Sequence, residues 1–300
     1  MSLFKFFKQE IAVDLGTANT LIMVNDKVVV NEPSIVAIDR KTGETIAVGL
    51  RALQMHEKTH DNIKTVRPLK DGVIADFQAA ESMIENMIKL AGLRNNIFSH
   101  LKMVICIPSG ITEVEKRAVF DSADHVNSKE TYLIHEPMAA ALGIGLPIEE
   151  PEGNMIVDIG GGTTEIAVIA LSGIVCDQSI RIAGDELTNN IMQYMKREHN
   201  ILIGERTAEQ IKINVGSALH ELENPPEDYA ISGRDLMTGI PKQIKVGYQE
   251  VAYSLDKSIG KIEEAVLRAL EETPPVLSSD IYENGIYLTG GGALLRGLDK

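Results

Sequence analysis

The chain has 300 residues, of which 44% are hydrophobic and 25 are glycine, so it can bury the cores of two globular domains. A formal net charge of −14 repels phosphate backbones and argues against nucleic acid as the main partner. Two cysteines are too few for a disulfide scaffold.

The first ten residues, MSLFKFFKQE, are amphipathic when wound as a helix, with lysines opposite an apolar face made of Leu3, Phe4, Phe6 and Phe7. This pattern favours a small anchor on a membrane surface. The alternative is a segment that packs on the body of the fold. No stretch reaches the ~20 apolar residues that cross a bilayer, and no secretory signal is present, so we expect a cytoplasmic protein.

The first half opens with three short β-branched runs at residues 11–13, 21–24 and 28–30, which predict three antiparallel strands. Residues 76–92 predict an amphipathic helix that begins at an aspartate cap, ends at a glycine and buries its methionines in a core. Strand, helix, strand and helix then alternate along KMVICIPSG, TEVEKRAVF, TYLI and EPMAAALG.

The second half restarts this pattern at residue 155, with strands in MIV, EIAVIAL and GIVCDQSI and helices around 184–199 and 205–219. Near the end, IYLTGGG predicts a strand that opens the helix ALLRGL. Residues 33–75 and 186–248 fit no step of the plan and predict small inserted subdomains, the second with a loosely ordered stretch, ELENPPEDYAISG. We therefore predict an α/β fold of two duplicated domains, residues 1–148 and 149–300.

Two turns share the pattern Asp-x-Gly-x-x-x-Thr, DLGTANT at 14–20 and DIGGGTT at 158–164, and each lies between predicted strands. Because glycine lacks Cβ, such a turn can curl its backbone amides into a nest that holds a phosphate. We expect both turns to face a common cleft. The predicted phosphate contacts are Gly16, Thr17, Ala18, Asn19, Gly160, Gly161, Gly162, Thr163 and Thr164.

Asp14 and Asp158 end the strands before the two turns. Carboxylates beside phosphate oxygens require a hard cation, and magnesium is the expected ion. A P-loop is excluded because Gly-x-x-x-x-Gly-Lys-[Ser/Thr] is absent, and a dinucleotide turn is excluded because both turns lead into another β run. The cluster Gly290, Gly291 and Gly292 is assigned to the nucleoside end of the same ligand, with a purely structural turn as the alternative.

These motifs resemble those of the actin, sugar kinase and heat-shock chaperone ATPase superfamily. Within it, the resemblance to the bacterial rod-shape-determining MreB family is nearly continuous from residue 11 to the end. It is carried by DLGTANT, NEPSIVAID, RPLKDGVIADF, HEPMAAALG, NMIVDIGGGTTEIAVI, SIRIAGDE, IGERTAEQIK and SDIYENGIYLTGGGALLRGLD. The resemblance implies an actin-like, ribonuclease H-like ATPase fold around a nucleotide cleft, with ATP and Mg²⁺ as cofactors.

The resemblance also implies roles for single residues. Glu136 stands where the family keeps the carboxylate that orients the attacking water, which suits in-line phosphoryl transfer. The alternative for Glu136 is a helix cap before Pro137. Asp158 and Thr163 are implied in catalysis. The resemblance implies that the helix ERTAEQIK flanks the adenine, with Glu209 and Lys212 near the base and the ribose. The further predicted nucleotide contacts come from this helix and from the residue after the glycine cluster: Ala208, Glu209, Gln210, Ile211, Lys212 and Ala293.

RNNIFSH falls where the family has a hydrophobic loop that dips into the membrane, which implies lipid contacts for Ile97 and Phe98. The resemblance implies a head-to-tail homopolymer, with paired protofilaments, on the inner face of the cytoplasmic membrane. There it would work with cell-wall elongation proteins, and slow ATP hydrolysis would time assembly. A soluble sugar or acyl kinase of the same superfamily is the alternative, although no aspartate outside the phosphate turns is placed as a base.

The sequence departs from the family pattern in two places. Internal symmetry predicts a further strand and helix, roughly thirty residues, after Lys300. His135 stands where the family usually has an acidic residue.

Overall fold

The structure is a computed structural model that describes residues 8–93 and 100–300. The chain divides into two compact units, Met1–Gly143 and Ile144–Lys300. The predicted membrane contacts Leu3, Phe4, Phe6, Phe7, Ile97 and Phe98 lie outside the described residues. Among the residues that are described, no helix is both long and apolar enough to cross a membrane.

The first unit is built on a five-stranded sheet in the order β10-β9-β1-β2-β3. The three opening strands are antiparallel, as predicted, while β9 runs parallel to β1 and to β10. A small sheet, β5-β4-β6, and the hairpin β7-β8 complete the unit. The elements are β1 (Lys8–Leu15), β2 (Asn19–Val24), β3 (Lys27–Pro33), β4 (Val36–Asp39), β5 (Thr45–Val48), α1 (Gly49–Met55), β6 (Ile63–Val66), β7 (Leu69–Lys70), β8 (Val73–Ile74), α2 (Phe77–Leu90), β9 (His100–Ile107), α3 (Glu113–His125), β10 (Ser128–His135) and α4 (Glu136–Ile144).

Local signals explain where the helices of this unit begin and what they bury. The Asp76 side chain accepts from the Ala79 amide, 3.0 Å away, and caps α2 as predicted. Met83 and Met87 of α2 are fully buried in the hydrophobic core that also contains Ile11, Val13 and Leu15 of β1, which confirms their predicted packing role.

The second unit is built on the sheet β13-β12-β11-β17, in which β17 runs parallel to β11. The order matches β3-β2-β1-β9 of the first unit, so the predicted duplication is confirmed. A second sheet, β14-β15-β16, belongs to the same unit. The elements are β11 (Asn154–Ile159), β12 (Thr164–Ala170), β13 (Gly173–Ile180), α5 (Gly184–Glu198), β14 (Ile201–Leu202), α6 (Glu205–Val215), β15 (Tyr229–Asp235), β16 (Pro241–Val246), α7 (Tyr248–Glu272), α8 (Pro275–Asn284) and β17 (Ile286–Thr289).

Two sequence predictions for the second unit are wrong. The end of the stretch expected to be loosely ordered forms β15, because Ile231 is buried in a core that residues far along the chain complete. ALLRGL is not an α-helix: a single 3₁₀ turn covers Gly291–Leu294 and Leu295 is already extended. Successive glycines disfavour a helix, and Leu294, 86% exposed, offers no apolar face to bury.

Candidate functional site

A buried serine, Ser34, holds the turn after β1 through hydrogen bonds to two of its carbonyls. The Ser34 hydroxyl donates to Gly16 O at 2.6 Å, and the Ser34 amide donates to Ala18 O at 2.9 Å. Because the single hydroxyl hydrogen of Ser34 is used on Gly16, the 2.8 Å contact with Thr20 Oγ1 requires Thr20 to donate. A Cβ on Gly16 would lie 2.6 Å from Asn19 O, so only glycine fits there.

These braces set the direction of the backbone amides in the first turn. In a trans peptide the C=O and N–H groups point in opposite directions. Since the carbonyls of Gly16 and Ala18 face Ser34, the amides of Thr17 and Asn19 point away from it. The hydroxyl of Thr17 accepts from the Gly72 amide at 3.0 Å and so also holds the β7–β8 hairpin. The amides, rather than the threonine side chain alone, form the candidate phosphate contacts.

Asp14 is the second-to-last residue of β1, directly before this turn. Burial raises the pKa of its carboxyl, and among the described residues this group makes no hydrogen bond or ion pair. An ionised carboxylate in such a place is stabilised by a cation, and oxygen ligands suit magnesium. The described residues contain no group of three or more His, Cys, Asp or Glu side chains that could hold a metal by themselves. A magnesium ion here would need further oxygens from phosphate or water.

The turn after β11 is braced by a helix instead of a serine. The first two amides of α5, Gly184 and Asp185, donate to the carbonyls of Gly160 and Gly161 at 3.1 and 2.8 Å. By the same peptide geometry, the amides of Gly161 and Gly162 then point away from α5. Within the part of the chain that the structure describes, no acceptor pairs with either of these amides or with that of Thr163. Three successive free amides in a turn are an anion-binding nest.

The motif threonine that follows each turn has a bracing role. Thr164 is fully buried, and its hydroxyl donates to Ile182 O at 2.7 Å, as Thr20 donates to Ser34 in the first unit. The side-chain hydrogen of Thr164 is therefore already used. The predicted phosphate contact of Thr164 and the predicted catalytic role of Thr163 stay predictions.

The third glycine cluster packs directly on the end of β11. Thr289, the last residue of β17, pairs with Asp158, and a Cβ on Gly290 would collide with the Asp158 carboxylate and Ile159 O. A Cβ on Gly292 would collide with the Ile159 side chain. Glycine is thus required here by close packing beside the turn that follows β11. A nucleoside contact through this cluster or Ala293 stays a prediction.

Some residues of α6 that are predicted to contact the nucleotide lie in the core, and others lie at the surface. The side chains of Ala208 and Ile211 are fully buried in the core, and Gln210 is exposed. Glu209 and Lys212 instead form an ion pair of 2.7 Å beside the start of α5. Contact of this helix with a nucleoside stays a prediction.

Glu136 is the first residue of α4 and follows β10 without a loop. The strand end fixes its backbone, which is what a water-orienting carboxylate needs, but an acidic first residue is also favourable at any helix start. The neighbouring His135 has a buried Nδ1 without a hydrogen-bond partner in the described structure. The catalytic role of Glu136 stays a prediction.

Sequence reasoning missed the groups that hold the two turns in shape. Ser34 follows Pro33 at the end of β3, and Gly184 and Asp185 open α5. Both lie in segments that carry the family resemblance, NEPSIVAID and SIRIAGDE, so that resemblance was the available signal. Nothing in their local pattern shows which carbonyls they bind.

Comparison with known proteins places these features in a family. The sequence model described as "MreB/Mbl protein" matches residues 8–300. The cell shape-determining protein Mbl of Bacillus subtilis (strain 168) is 48% identical over 295 residues, covering 98% of this chain and 88% of the relative. The cell shape-determining protein MreB of Escherichia coli (strain K12) is 46% identical over 299 residues, covering 98% and 86%.

Solved structures agree on the fold. The crystal structure of MreB 5 of Spiroplasma citri bound to AMPPNP has a TM-score of 0.92 at 41% identity, over 97% of this chain and 87% of that one. The same protein bound to ADP has a TM-score of 0.91 at 40% identity, over the same shares. A MamK double helical filament has a TM-score of 0.80 over 97% and 88%, and its 22% identity supports the fold alone.

Proposed function

The chain belongs to the MreB/Mbl family, and on that premise we propose that it is an ATP-dependent, actin-like filament protein that determines cell shape. The observation that supports nucleotide binding most directly is the row of free amides at Gly161, Gly162 and Thr163, held outward by the N-terminus of α5. Such a row binds phosphate oxygens without a lysine. The relative with 41% identity binds AMPPNP, a triphosphate analogue.

Magnesium is the proposed companion ion. Asp14 fits it, because its buried carboxyl has a raised pKa and no partner among the described residues. Asp158, at the corresponding strand end of the other unit, is the second proposed carboxylate. When bound, the ion supplies charge neutralisation to the phosphate oxygens.

We propose slow hydrolysis that times assembly rather than a metabolic reaction. In-line attack on the γ-phosphoryl group requires a positioned water and donors for the developing charge. Glu136 would accept a hydrogen bond from that water, while Thr163 and the amides of the glycine turn would donate to the phosphate. Asp158 would act through the ion.

The polymer itself is proposed as a head-to-tail assembly, since a heterologous contact that does not close into a ring propagates into a filament. We further propose that it lies on the inner face of the cytoplasmic membrane, through the apolar residues Leu3, Phe4, Phe6, Phe7, Ile97 and Phe98. There it would recruit cell-wall elongation proteins. These three proposals rest on the family resemblance and on the apolar character of those segments.

Sedimentation tests the proposal. Protein with ATP and Mg²⁺ should pellet, pellet more on vesicles of anionic than of neutral lipid, and show filaments by electron microscopy. The control is the same mixture without nucleotide. A protein that stays in the supernatant and phosphorylates an added sugar or carboxylate would instead be a kinase, and the filament proposal would be wrong.

A further inference from the structure

The described residues of the second unit include two distinct hydrophobic cores. Residues of the sheet β13-β12-β11-β17 and of the C-terminal half of α7 form the main-sheet core, which contains Ile159. Residues of α5, α6 and the N-terminal half of α7 form the α5–α6 core, which contains Ile211. The glycine cluster Gly290–Gly292 packs on Ile159 and so belongs with the main-sheet core. The two elements that are predicted to flank the nucleoside, the cluster and α6, are therefore carried by different cores.

The segment Leu295–Leu298, the linking segment, connects these two cores shortly after the glycine cluster. Leu295 packs against the α5–α6 core, and Leu298 packs against the main-sheet core. Between them, the carbonyl of Arg296 accepts a hydrogen bond of 2.8 Å from the amide of Ala218, which lies just beyond the end of α6. The linking segment thus fastens the chain that follows the glycine cluster to the end of α6.

The side chain of Arg296 also caps α6. Its guanidinium donates to the carbonyls of Ile213 and Gly216 at 3.3 and 3.2 Å. The last carbonyls of a helix have no amide partner within the helix, and the backbone bond at the C-cap of α6 runs from the Gly216 amide to Lys212 O. A cation at this end also interacts favourably with the helix dipole. Arg296 therefore supplies donors that α6 itself cannot supply.

Gly297 brings the linking segment into close contact with Leu219. Its φ of +75° lies in the left-handed region, and a Cβ would lie 2.8 Å from two side-chain carbons of Leu219. Leu219 is itself held, because its amide donates to the buried hydroxyl of Ser217 at 3.0 Å and its carbonyl accepts from that hydroxyl at 2.8 Å. A side chain at position 297 would therefore push the linking segment away from the end of α6.

We propose that Arg296 and Gly297 of the linking segment are positioning residues of the nucleoside pocket. They set the separation between α6 and the glycine cluster, and thereby the affinity for the adenosine part of the nucleotide. This deepens the proposed function and rests on it. The glycine turn after β11 is held differently, by the first amides of α5. The linking segment should therefore act on nucleoside binding and leave phosphate binding unchanged.

The first test needs no nucleotide. The Ala218 amide donates to the linking segment, so its hydrogen exchange should be slow in the wild type and clearly faster in Gly297→Ala. Gly239→Ala is the matched control: its φ of +76° imposes the same backbone strain, but nothing lies within 4 Å of the added Cβ. This control should leave the exchange of the Ala218 amide unchanged. Unchanged exchange in Gly297→Ala would overturn the proposal whether or not the protein binds ATP.

The second test separates nucleoside binding from phosphate binding by calorimetry with two ligands. In the presence of Mg²⁺, Gly297→Ala should weaken ATP binding about tenfold or more, an effect in the range seen when groups that orient direct ligands are removed. The affinity for tripolyphosphate, which has no nucleoside, should stay at the wild-type level. Gly239→Ala should bind both ligands as the wild type does. Equal losses for the two ligands in Gly297→Ala, or no loss for ATP, would overturn the proposal.

Arg296 provides a milder variant if Gly297→Ala does not fold. Arg296→Met keeps an apolar stem and removes the donors to Ile213 O and Gly216 O, so ATP affinity should fall about two- to fivefold, the effect of one cation at a helix C-terminus. Arg296→Lys keeps the charge and should restore part of the affinity. Wild-type ATP affinity in Arg296→Met would contradict the proposal. If the wild type binds neither ATP nor tripolyphosphate, the proposed function fails, and the exchange measurement still decides whether the linking segment holds α6.

Discussion

The Ser34 hydroxyl donates a 2.6 Å hydrogen bond to the carbonyl of Gly16, eighteen residues earlier in the chain. The Ser34 amide also donates a hydrogen bond to Ala18 O, and together the two bonds turn the backbone amides of Thr17 and Asn19 outward. In the second unit the N-terminus of α5 does the same for the matching turn. Both turns therefore direct backbone amides outward, and they differ in the groups that hold them.

Replacing Ser34 with alanine should destabilise the protein by about 1–3 kcal/mol, because Gly16 O and Thr20 Oγ1 lose their buried partner. ATP affinity should fall as well, since the turn is no longer fixed. Urea unfolding and calorimetry measure the two effects. Ser254→Ala is the control: its hydroxyl bonds only Val251 O within one helix, and its loss should leave ATP binding unchanged.

Gly16→Ala should reduce ATP affinity strongly, because the added methyl would lie 2.6 Å from Asn19 O and must push the turn open. Gly143→Ala is the matched control in the same unit, since nothing lies within 4 Å of its added Cβ. That variant should keep ATP affinity and gain up to about 1 kcal/mol of stability from higher helix propensity. Equal affinities in both variants would show that the first turn does not contact the ligand.

Asp14→Asn should raise the melting temperature of the nucleotide-free protein at pH 7, because burial raises the pKa of this carboxyl. Because the pKa is raised in the folded state, protonated Asp14 stabilises the folded protein. This stabilisation is fully present below the unfolded pKa of about 3.9 and is lost as the pH rises through the folded pKa. The gain from Asp14→Asn should therefore vanish as pH falls toward 4. Thermal melts across this range measure it.

Asp39 provides the opposite sign as a control. Backbone hydrogen bonds from Lys41 and Thr42 lower the pKa of its carboxyl, so Asp39→Asn should lower the melting temperature at pH 7, and the loss should shrink in acid.

With ATP and Mg²⁺ present, the wild type should gain stability that Asp14→Asn does not. An equal gain in both proteins would remove Asp14 from the proposed magnesium site.

Glu136→Gln should slow phosphate release by about 100-fold or more, the usual contribution of a general base or water-orienting group, while ATP affinity stays the same. Glu113→Gln is the control, because Glu113 also lies in the first turn of a helix and has no predicted role in hydrolysis. If Glu136 serves only the helix, both variants should lose about 0.3–1 kcal/mol of stability and neither should lose activity. Phosphate-release assays and thermal melts separate the two cases.

Replacing both Ile97 and Phe98 with aspartate should abolish binding to anionic vesicles and leave sedimentation with ATP in the absence of lipid unchanged. The physical reason is the loss of apolar area that can enter the headgroup region, with added repulsion from the lipid charge. Vesicle flotation measures it. Removal of residues 1–7 tests the other predicted element separately, and undiminished flotation of a chain carrying both changes would contradict membrane attachment through these segments.

Several features could be predicted because their cause is local. A glycine turn between two β-branched runs predicts a hairpin with exposed amides, and Asp76 before an apolar period of 3.6 predicts a capped helix. The 25-residue helix α7 carries the same kind of signal, with Val251, Leu255 and Ile262 buried at helical spacing, although it is absent from the predicted elements. The helix predicted after Gly292 failed because three glycines and an exposed leucine offer nothing to pack.

The sequence by itself determined the duplicated plan, the two glycine turns and the strand-end aspartates, because these depend on residue type and on spacing over fewer than about ten residues. Tertiary structure alone decided that Ser34 supports one turn, that α5 supports the other, and that Lys212 bonds to Gly184 O and Thr188 Oγ1 and pairs with Glu209. Those bonds join atoms from distant parts of the chain. A hydrogen bond of this kind depends on positions within a few tenths of an ångström, and only the packed cores of each unit set such positions.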